Sequence, residues 1–271
     1  MKYLFSDCEQ EIANIWRTYA GFTIRPVPST IHYYQRLIED LNSNSPSFLY
    51  GATPEIRSIF QTLNKPLVVR DQSLTIIRAM GLLTTSGAPI AANEVIQIDH
   101  WLERDLQSYD FLIVDHAINM LLWEQFDDFF QIALEQLNDD GIFVCHLLIK
   151  PDEVFTKQSF DQVVNDYHCG LIDNIYDLAS RLNFICYDDG TYQMGWQHTI
   201  HQLGAYQLSA LMPDLDFINQ FKYCNAMFTC PPQACFEHLA SQYFNIVEVF
   251  YPHEYDYCQF EPVYVLQKRK L

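Results

Sequence analysis

Five short apolar runs, spaced widely enough for the chain to cross back over a sheet between them, constrain this sequence more than any other feature. They are Ser47–Tyr50, Leu67–Arg70, Glu94–Ile98, Phe111–Val114 and Ile142–Ile149. The first four stop at Gly51, Asp71, Asp99 and Asp115, and the fifth at Lys150-Pro151. Strands buried on both faces read as continuous apolar runs, which is the mark of a parallel sheet covered by helices. The intervening segments carry helix spacing: Pro54–Leu63, Leu74–Met80, and the series Phe126, Phe129, Phe130, Ala133, Leu134, Leu137. That last helix is expected to stop at a turn, Asn138-Asp139-Asp140-Gly141. Right-handed crossovers make such a series a doubly wound sheet, and these sheets bind ligands outside the carboxyl ends of their strands.

The end of the chain follows another rule. Gln233–Tyr243 reads as a helix begun by Pro231-Pro232. Phe244–Tyr251 and Pro262–Gln267 read as strands, and only about ten residues without helical period separate them, so they pair as an antiparallel hairpin. The expected fold class is therefore α/β: a doubly wound, mostly parallel, seven-stranded sheet with an antiparallel C-terminal hairpin strand. Two N-terminal helices precede it, roughly Cys8–Tyr19 and Thr30–Leu41. Residues 151–230 are surplus to the sheet, with helical stretches at Phe160–Tyr167, Leu171–Leu182 and His198–Met212 and a turn at Tyr187–Gly190. Their place after the fifth strand predicts a lid or substrate subdomain over the carboxyl edge. The expected division is a helical segment at 1–46, the sheet domain at 47–150 with 231–271, and an inserted subdomain at 151–230.

Charge narrows the partners. The formal net charge is -18, from 34 acidic and 16 basic residues. A groove that tracks nucleic acid needs Lys and Arg against the phosphates, so a nucleic-acid partner is disfavoured. Lys268-Arg269-Lys270 reads as a solvated terminus. No apolar run reaches the ~18–20 residues of a membrane span, and Met1–Asp7 lacks the pattern of a secretory leader. The reading is a soluble, cytoplasmic protein with no membrane partner. Its eight cysteines form no C-x-x-C pair and are expected to be buried thiols.

The strand ends carry the chemistry. In Tyr50-Gly51-Ala52-Thr53-Pro54-Glu55, Gly51 permits a tight turn and close ligand approach. Thr53 suits an N-cap, Pro54 the first helical position and Glu55 the helix dipole. By itself this loop is equally a well-capped helix after a buried strand. Asp71 follows 20 residues later, the spacing at which an acidic residue commonly accepts from ribose hydroxyls. Alternatively, Asp71-Gln72-Ser73 caps the next helix. Asp99-His100-Trp101 offers an acceptor for an adenine amino group and an aromatic to pack on the ring, and Asp115-His116 faces the switch point. His116 is the first candidate for a general base, because histidine titrates near neutral pH; the alternative is a shelf or helix-start contact. His198 with His201, and Cys230 with Cys235, are weaker metal or redox pairings, and no metal ligand is assigned. Tyr167, His168, Tyr187, Tyr192, Trp196 and Tyr206 read as an acceptor pocket or as ordinary packing.

These residues resemble the class I S-adenosylmethionine-dependent methyltransferases. The resemblance runs from Ser47 to Leu148 and over the Val247–Gln267 hairpin, about half the chain, and it rests on Phe48–Glu55, Val68–Ser73, Gln97–His100 and Leu134–Phe143. It implies a cofactor site of Tyr50, Gly51, Ala52 and Thr53 at the methionine part, Asp71, Gln72 and Ser73 at the ribose, Asp99, His100 and Trp101 at the adenine, and Asp115 with His116 facing the methyl group. It further implies S-adenosylmethionine as cofactor, S-adenosylhomocysteine as product, and a small molecule or a protein side chain as acceptor. Two departures stand out. Leu49 occupies the position where the family carries an acidic residue, and Gly51 is the loop's single glycine. The Asn/Asp-Pro-Pro-Tyr signature of amino methylation is replaced by Asp115-His116-Ala117-Ile118. The competing readings are a non-catalytic protein that keeps the fold and a nicotinamide-dependent oxidoreductase; the missing G-x-G-x-x-G and the terminal hairpin weigh against the latter.

Overall fold

The computed structural model describes residues 9–18, 25–41, 44–195, 199, 201 and 227–269. Its main sheet contains β1 (Ser47–Tyr50), β2 (Leu67–Asp71), β3 (Glu94–Ile98), β4 (Tyr109–Asp115), β5 (Leu137–His146), β8 (Phe244–Phe250) and β9 (Val263–Lys268). Two short strands, β6 (Gln193–Gly195) and β7 (Met227–Thr229), pair separately. The order across the main sheet is β3-β2-β1-β4-β5-β9-β8. Strands β1 to β5 are parallel to one another, and β9 runs antiparallel to both β5 and β8. The expected sheet and its antiparallel hairpin strand are both present.

Period-2 alternation divides the strands between two cores. Phe48, Tyr50, Leu112, Val114, Phe143, Tyr264 and Leu266 pack to one side, with the buried faces of α5 (Phe126–Gln136) and α9 (Gln233–Tyr243). Leu49, Val69, Phe111, Ile113, Val144 and Val265 pack to the other, with α1 (Glu9–Thr18), α2 (Pro28–Glu39), α3 (Pro54–Thr62) and α4 (Leu74–Gly81). Each such side chain, fully buried, contributes about 1.5–3 kcal/mol. The N-terminal helices are thus part of the second core. Arg57 of α3 is also fully buried, and it is held by Glu94 at 2.7 and 2.8 Å.

The Asn138–Gly141 turn is not a turn. Helix α5 passes directly into β5, and the stretch forms a bulge: Tyr109 pairs with Leu137 and Phe111 with Ile142, so five steps along β5 oppose two along β4. Gly141 is required by contact and not by a left-handed helix end. A Cβ there would meet the Leu137 side chain at 2.7 Å and the Asn138 carbonyl at 3.0 Å. The strand also ends sooner than expected, at His146, although the Ile149 N–H still donates to the Phe260 carbonyl at 2.9 Å.

The described part of the insertion holds α6 (Glu153–Thr156), α7 (Phe160–His168) and α8 (Ile175–Phe184). It is tied to the sheet domain by Phe184 against Tyr257, with ring centres 5.5 Å apart, and by Asn119 Nδ2 donating to the Thr229 carbonyl at 2.6 Å. Asp188 accepts from the Gly190 N–H in the expected turn. The expected helix at 198–212 lies outside the described residues, apart from Thr199 and His201. Among the described residues no helix is long and apolar enough to cross a membrane.

Candidate active site

Strand register puts the sequence-predicted residues on one line. Tyr50 pairs with Arg70 and with Val114, so Gly51, Asp71 and Asp115 stand at the same level across three strands. Asp71 pairs with Ile98, and Asp115 with His146. The row is the carboxyl edge of the sheet, on either side of the point where strand order reverses between β1 and β4.

Gly51 turns the chain with φ +91, a region that glycine enters without a Cβ penalty. Its N–H donates to the Arg70 carbonyl at 2.8 Å, and a Cβ on it would stand 3.4 Å from the Ala117 side chain. Thr53 does not cap α3; its hydroxyl donates instead to Asp115 Oδ2 at 2.9 Å. Glu55 is paired with Arg25, whose Nε donates to it at 2.8 Å. Tyr50 turns its ring into the core against Phe129, and its hydroxyl donates to Gln136, so only its backbone faces the loop.

Asp71 is 6% exposed and accepts the Ser73 N–H at 3.1 Å. Burial pushes its carboxyl up to about 6, against the backbone bonds from Ser73 and Gln72. Ser73 Oγ in turn accepts the Ile76 N–H and caps α4. The capping geometry considered for Asp71-Gln72-Ser73 is therefore real, and the Asp71 carboxylate keeps lone pairs beyond those backbone bonds.

The ends of β4 and β5 hold a denser arrangement. Asp115 Oδ1 accepts from the Tyr34 hydroxyl at 2.8 Å and lies 2.6 Å from His146 Nδ1. Burial would raise this carboxyl; hydrogen bonding from His146, the two neighbouring imidazoles and the bond from Tyr34 outweigh it and hold the group below its ordinary value. His116 sits beside it with a left-handed φ of +55 and its ring 4.0 Å from that of His146. Burial, then the charge of His146, lowers the His116 pKa to about 3, against the opposing pull of Asp115 and Asn119. That is far below the neutral range on which its candidacy as a base rested.

No protein-family model matches this chain, and no curated protein does. Solved structures match over nearly its whole length. The CcbJ methyltransferase from Streptomyces caelestis superposes with a TM-score of 0.61 at 11% identity, covering 99% of this chain and 100% of its own. A Rhodobacter sphaeroides protein, described provisionally as one of the Zn-dependent alcohol dehydrogenases, gives 0.59 at 11% identity over 99% and 100%. The mitomycin 7-O-methyltransferase MmcR gives 0.51 at 6% identity over 89% of this chain and 54% of its own. The fold is a methyltransferase-like α/β fold, a mixed seven-stranded sheet with an antiparallel C-terminal strand pair.

Within this methyltransferase fold the remaining candidates separate. Asp99 and His100 are exposed at the end of edge strand β3, where His100 Nδ1 accepts the Leu102 N–H at 3.1 Å. Trp101 is buried in the core, with no partner for its indole nitrogen among the described residues. Tyr187 stacks on Phe184 and donates to the Cys230 carbonyl, while Tyr192 meets Trp123 edge-on. Tyr167 and His168 lie on α7; Trp196, His198 and Tyr206 are outside the described residues. Cys230 and Cys235 are both free thiols.

Sequence reasoning passed over four residues here. His146 stood as a lone imidazole in an apolar run, and Tyr34 as one of several apolar-face residues of α2. Arg70, a charge inside a buried strand, was a visible signal; it bonds Gln97 at 2.7 and 2.9 Å and covers the Phe48 ring at 4.8 Å. Glu261 gave no signal, yet it is fully buried and neither carboxylate oxygen has a hydrogen-bond partner among the described residues.

Proposed function

We propose that this protein is an S-adenosylmethionine-dependent methyltransferase acting on a small molecule or a protein side chain. The observation that carries the reading is the single row of Gly51, Asp71, Asp115 and His146 on the carboxyl edge of a sheet whose hairpin strand β9 lies between β5 and β8. The residues suit the cofactor chemically. The left-handed turn at Gly51 is one that glycine enters freely, and Asp71 keeps acceptor capacity at the level where ribose hydroxyls would lie. In this reading Gly51, Ala52, Thr53 and the Tyr50 backbone hold the methionine part, and Asp71, Gln72 and Ser73 the ribose. Asp99, His100 and Trp101 border the adenine, and Asp115 with His116 borders the methyl.

S-adenosylmethionine supplies a methyl group on a sulfonium, with S-adenosylhomocysteine as the departing product. The chain's main task is to hold the acceptor in line, which supplies most of the advantage in a direct displacement. His146, oriented by Asp115 through Nδ1, is the group able to take the acceptor's proton as the new bond forms. Neutral His116 lines the same space. The 151–230 segment serves as the acceptor-side lid, and the cytoplasm as the compartment, where free thiols such as Cys145 and Cys230 are the rule.

Two alternatives share the fold. A dinucleotide oxidoreductase is disfavoured by the antiparallel β9 and by the single-glycine loop. A non-catalytic binding protein differs from the enzyme only in turnover. Titration calorimetry with S-adenosylmethionine, S-adenosylhomocysteine and NAD separates the methyltransferase from the oxidoreductase, and S-adenosylhomocysteine formation with an acceptor separates it from the binding protein. The expected result is binding of the first two and not of NAD, with Asp71→Ala weakening both. A folded chain that binds neither refutes the methyltransferase reading, and unchanged affinity in Asp71→Ala refutes the placement of the ribose.

A further inference from the structure

Glu261 stands just outside β9, between Phe260 and Pro262. Two backbone bonds fix it beyond the end of β5. The Ile149 N–H donates to the Phe260 carbonyl at 2.9 Å, and the Leu147 N–H to the Pro262 carbonyl at 3.4 Å. Val263, two residues on, pairs with His146. Glu261 therefore lies at the carboxyl edge of the sheet, on the side of β5 away from β4. Its side chain is fully buried, and neither oxygen has a hydrogen-bond partner among the described residues. Glutamates are almost never buried so fully unless paired, and buried polar atoms are nearly always satisfied. The two oxygens point to an occupant.

The surroundings say which kind. Burial, then the charges of Asp115 and Glu254, push the Glu261 pKa well above the ordinary carboxyl range. No lysine or arginine among the described residues offsets them. Asp115 and Glu254 are both tied to α2, the first through the Tyr34 hydroxyl and the second through the Ser29 hydroxyl. Between these two points the buried face of α2 carries Thr30, whose Oγ1 also has no hydrogen-bond partner among the described residues. The charge of Glu261 acts on Tyr34, Tyr255 and Tyr257 as well. A carboxyl in a negative field, with tyrosines in reach, suits a cation. An ammonium pairs with a carboxylate and is attracted to the faces of aromatic rings. A cation also reverses the effect of burial, since a carboxyl beside a positive charge gives up its proton.

We propose that Glu261 recognises a protonated amine on the methyl acceptor, pairing its carboxylate with the ammonium among the tyrosines on which its charge acts. The proposal rests on the methyltransferase reading and deepens it, because it names the acceptor as an amine-bearing molecule. Glu261 selects and orients the acceptor across the end of β5 and takes no part in the transfer itself. A small molecule and a lysine side chain share this chemistry.

The test uses the full chain and titration calorimetry with hexylammonium chloride, with 1-hexanol as the uncharged control of the same shape and sodium chloride as the salt control. Binding of hexylammonium at least tenfold tighter than hexanol is expected. Glu261→Gln should weaken it by roughly 30-fold or more, the loss seen when one partner of a buried charge pair is removed, and Glu261→Asp should retain more affinity than glutamine does. Should Glu261→Gln fail to fold by circular dichroism, Tyr255→Leu is the second variant, with an expected loss of about 3–10-fold. A folded wild-type chain that binds hexylammonium no better than hexanol, or a folded Glu261→Gln chain that binds it as well as wild type, overturns the proposal. N-acetyl-lysine N-methylamide separates the two sources: tighter binding than hexylammonium assigns the amine to a protein side chain, and weaker binding to a small molecule. S-adenosylmethionine affinity of the wild type is measured alongside. Cofactor binding without ammonium selectivity removes this proposal alone; ammonium selectivity without cofactor binding removes the methyltransferase reading and leaves an amine-binding site.

Discussion

Asp71 and Asp115 stand on the same row of the sheet, both 6% exposed, and their carboxyls shift in opposite directions. Burial is the largest influence on each and raises both. Asp71 meets it with backbone N–H groups alone, and its pKa rises to about 6. Asp115 has Tyr34, Thr53 and His146 against its two oxygens, and its pKa falls. The difference is one of chain distance. The partners of Asp71 are the next two residues; those of Asp115 come from α2, the β1–α3 loop and β5. The first site is a local turn left with acceptor capacity for a ligand. The second is knotted by tertiary contacts, and there the unmet polar atoms belong to the histidines.

Removing the knot should have the largest effect. Asp115→Ala strands the buried Tyr34 and His146 and the half-buried Thr53 at once and is expected to cost about 3–5 kcal/mol, read as a fall in urea midpoint at constant slope. A loss below ~1 kcal/mol would mean that the knot does not hold the β4 end together. Because the native pKa of Asp115 is lowered, its contribution is present above the ordinary carboxylate value and lost as pH falls.

Asp71 should behave in the opposite sense. Its native pKa of about 6 exceeds the ordinary 3.8, so the folded state holds the proton more tightly. Its contribution is present below the ordinary value and lost as pH rises to about 6. Asp71→Asn should therefore stabilise the chain by about 1–3 kcal/mol at pH 7 and by little at pH 4, while weakening S-adenosylmethionine binding. Thermal melts at the two pH values, with calorimetry beside them, check this. Equal stabilisation at both would break the contrast between the carboxylates.

Smaller effects sharpen it. Gly51→Ala forces a Cβ into a left-handed backbone and should cost about 1–2 kcal/mol in chemical denaturation. Thr53→Val keeps the shape but removes the bond to Asp115, for about 1 kcal/mol. Thr53→Ser should restore most of that. If valine costs nothing, the hydroxyl does not belong to the Asp115 network.

Much of this molecule was legible from local pattern. Leu67–Arg70 read as a strand because burial on both faces leaves a nearly unbroken apolar run, and Gly51 and Asp71 announced themselves by residue type and a 20-residue interval. The hairpin was legible because so short a connection allows only antiparallel pairing. Asn138–Gly141 misled because its composition is that of a turn, whereas pairing with β4 absorbed it as a bulge. Thr53 misled because a good capping residue found a stronger partner in Asp115.

The sequence by itself determined the α/β class, the mostly parallel sheet and the row of strand ends, since these follow from periodicity and from residues close in the chain. Tertiary structure alone decided which polar groups share the end of β4. Tyr34, Thr53, Asp115 and His146 are 31 to 81 residues from their partners in that knot. A hydrogen bond across such a separation forms only after two cores have closed around the sheet and fixed the register of its strands, and local pattern carries no trace of it.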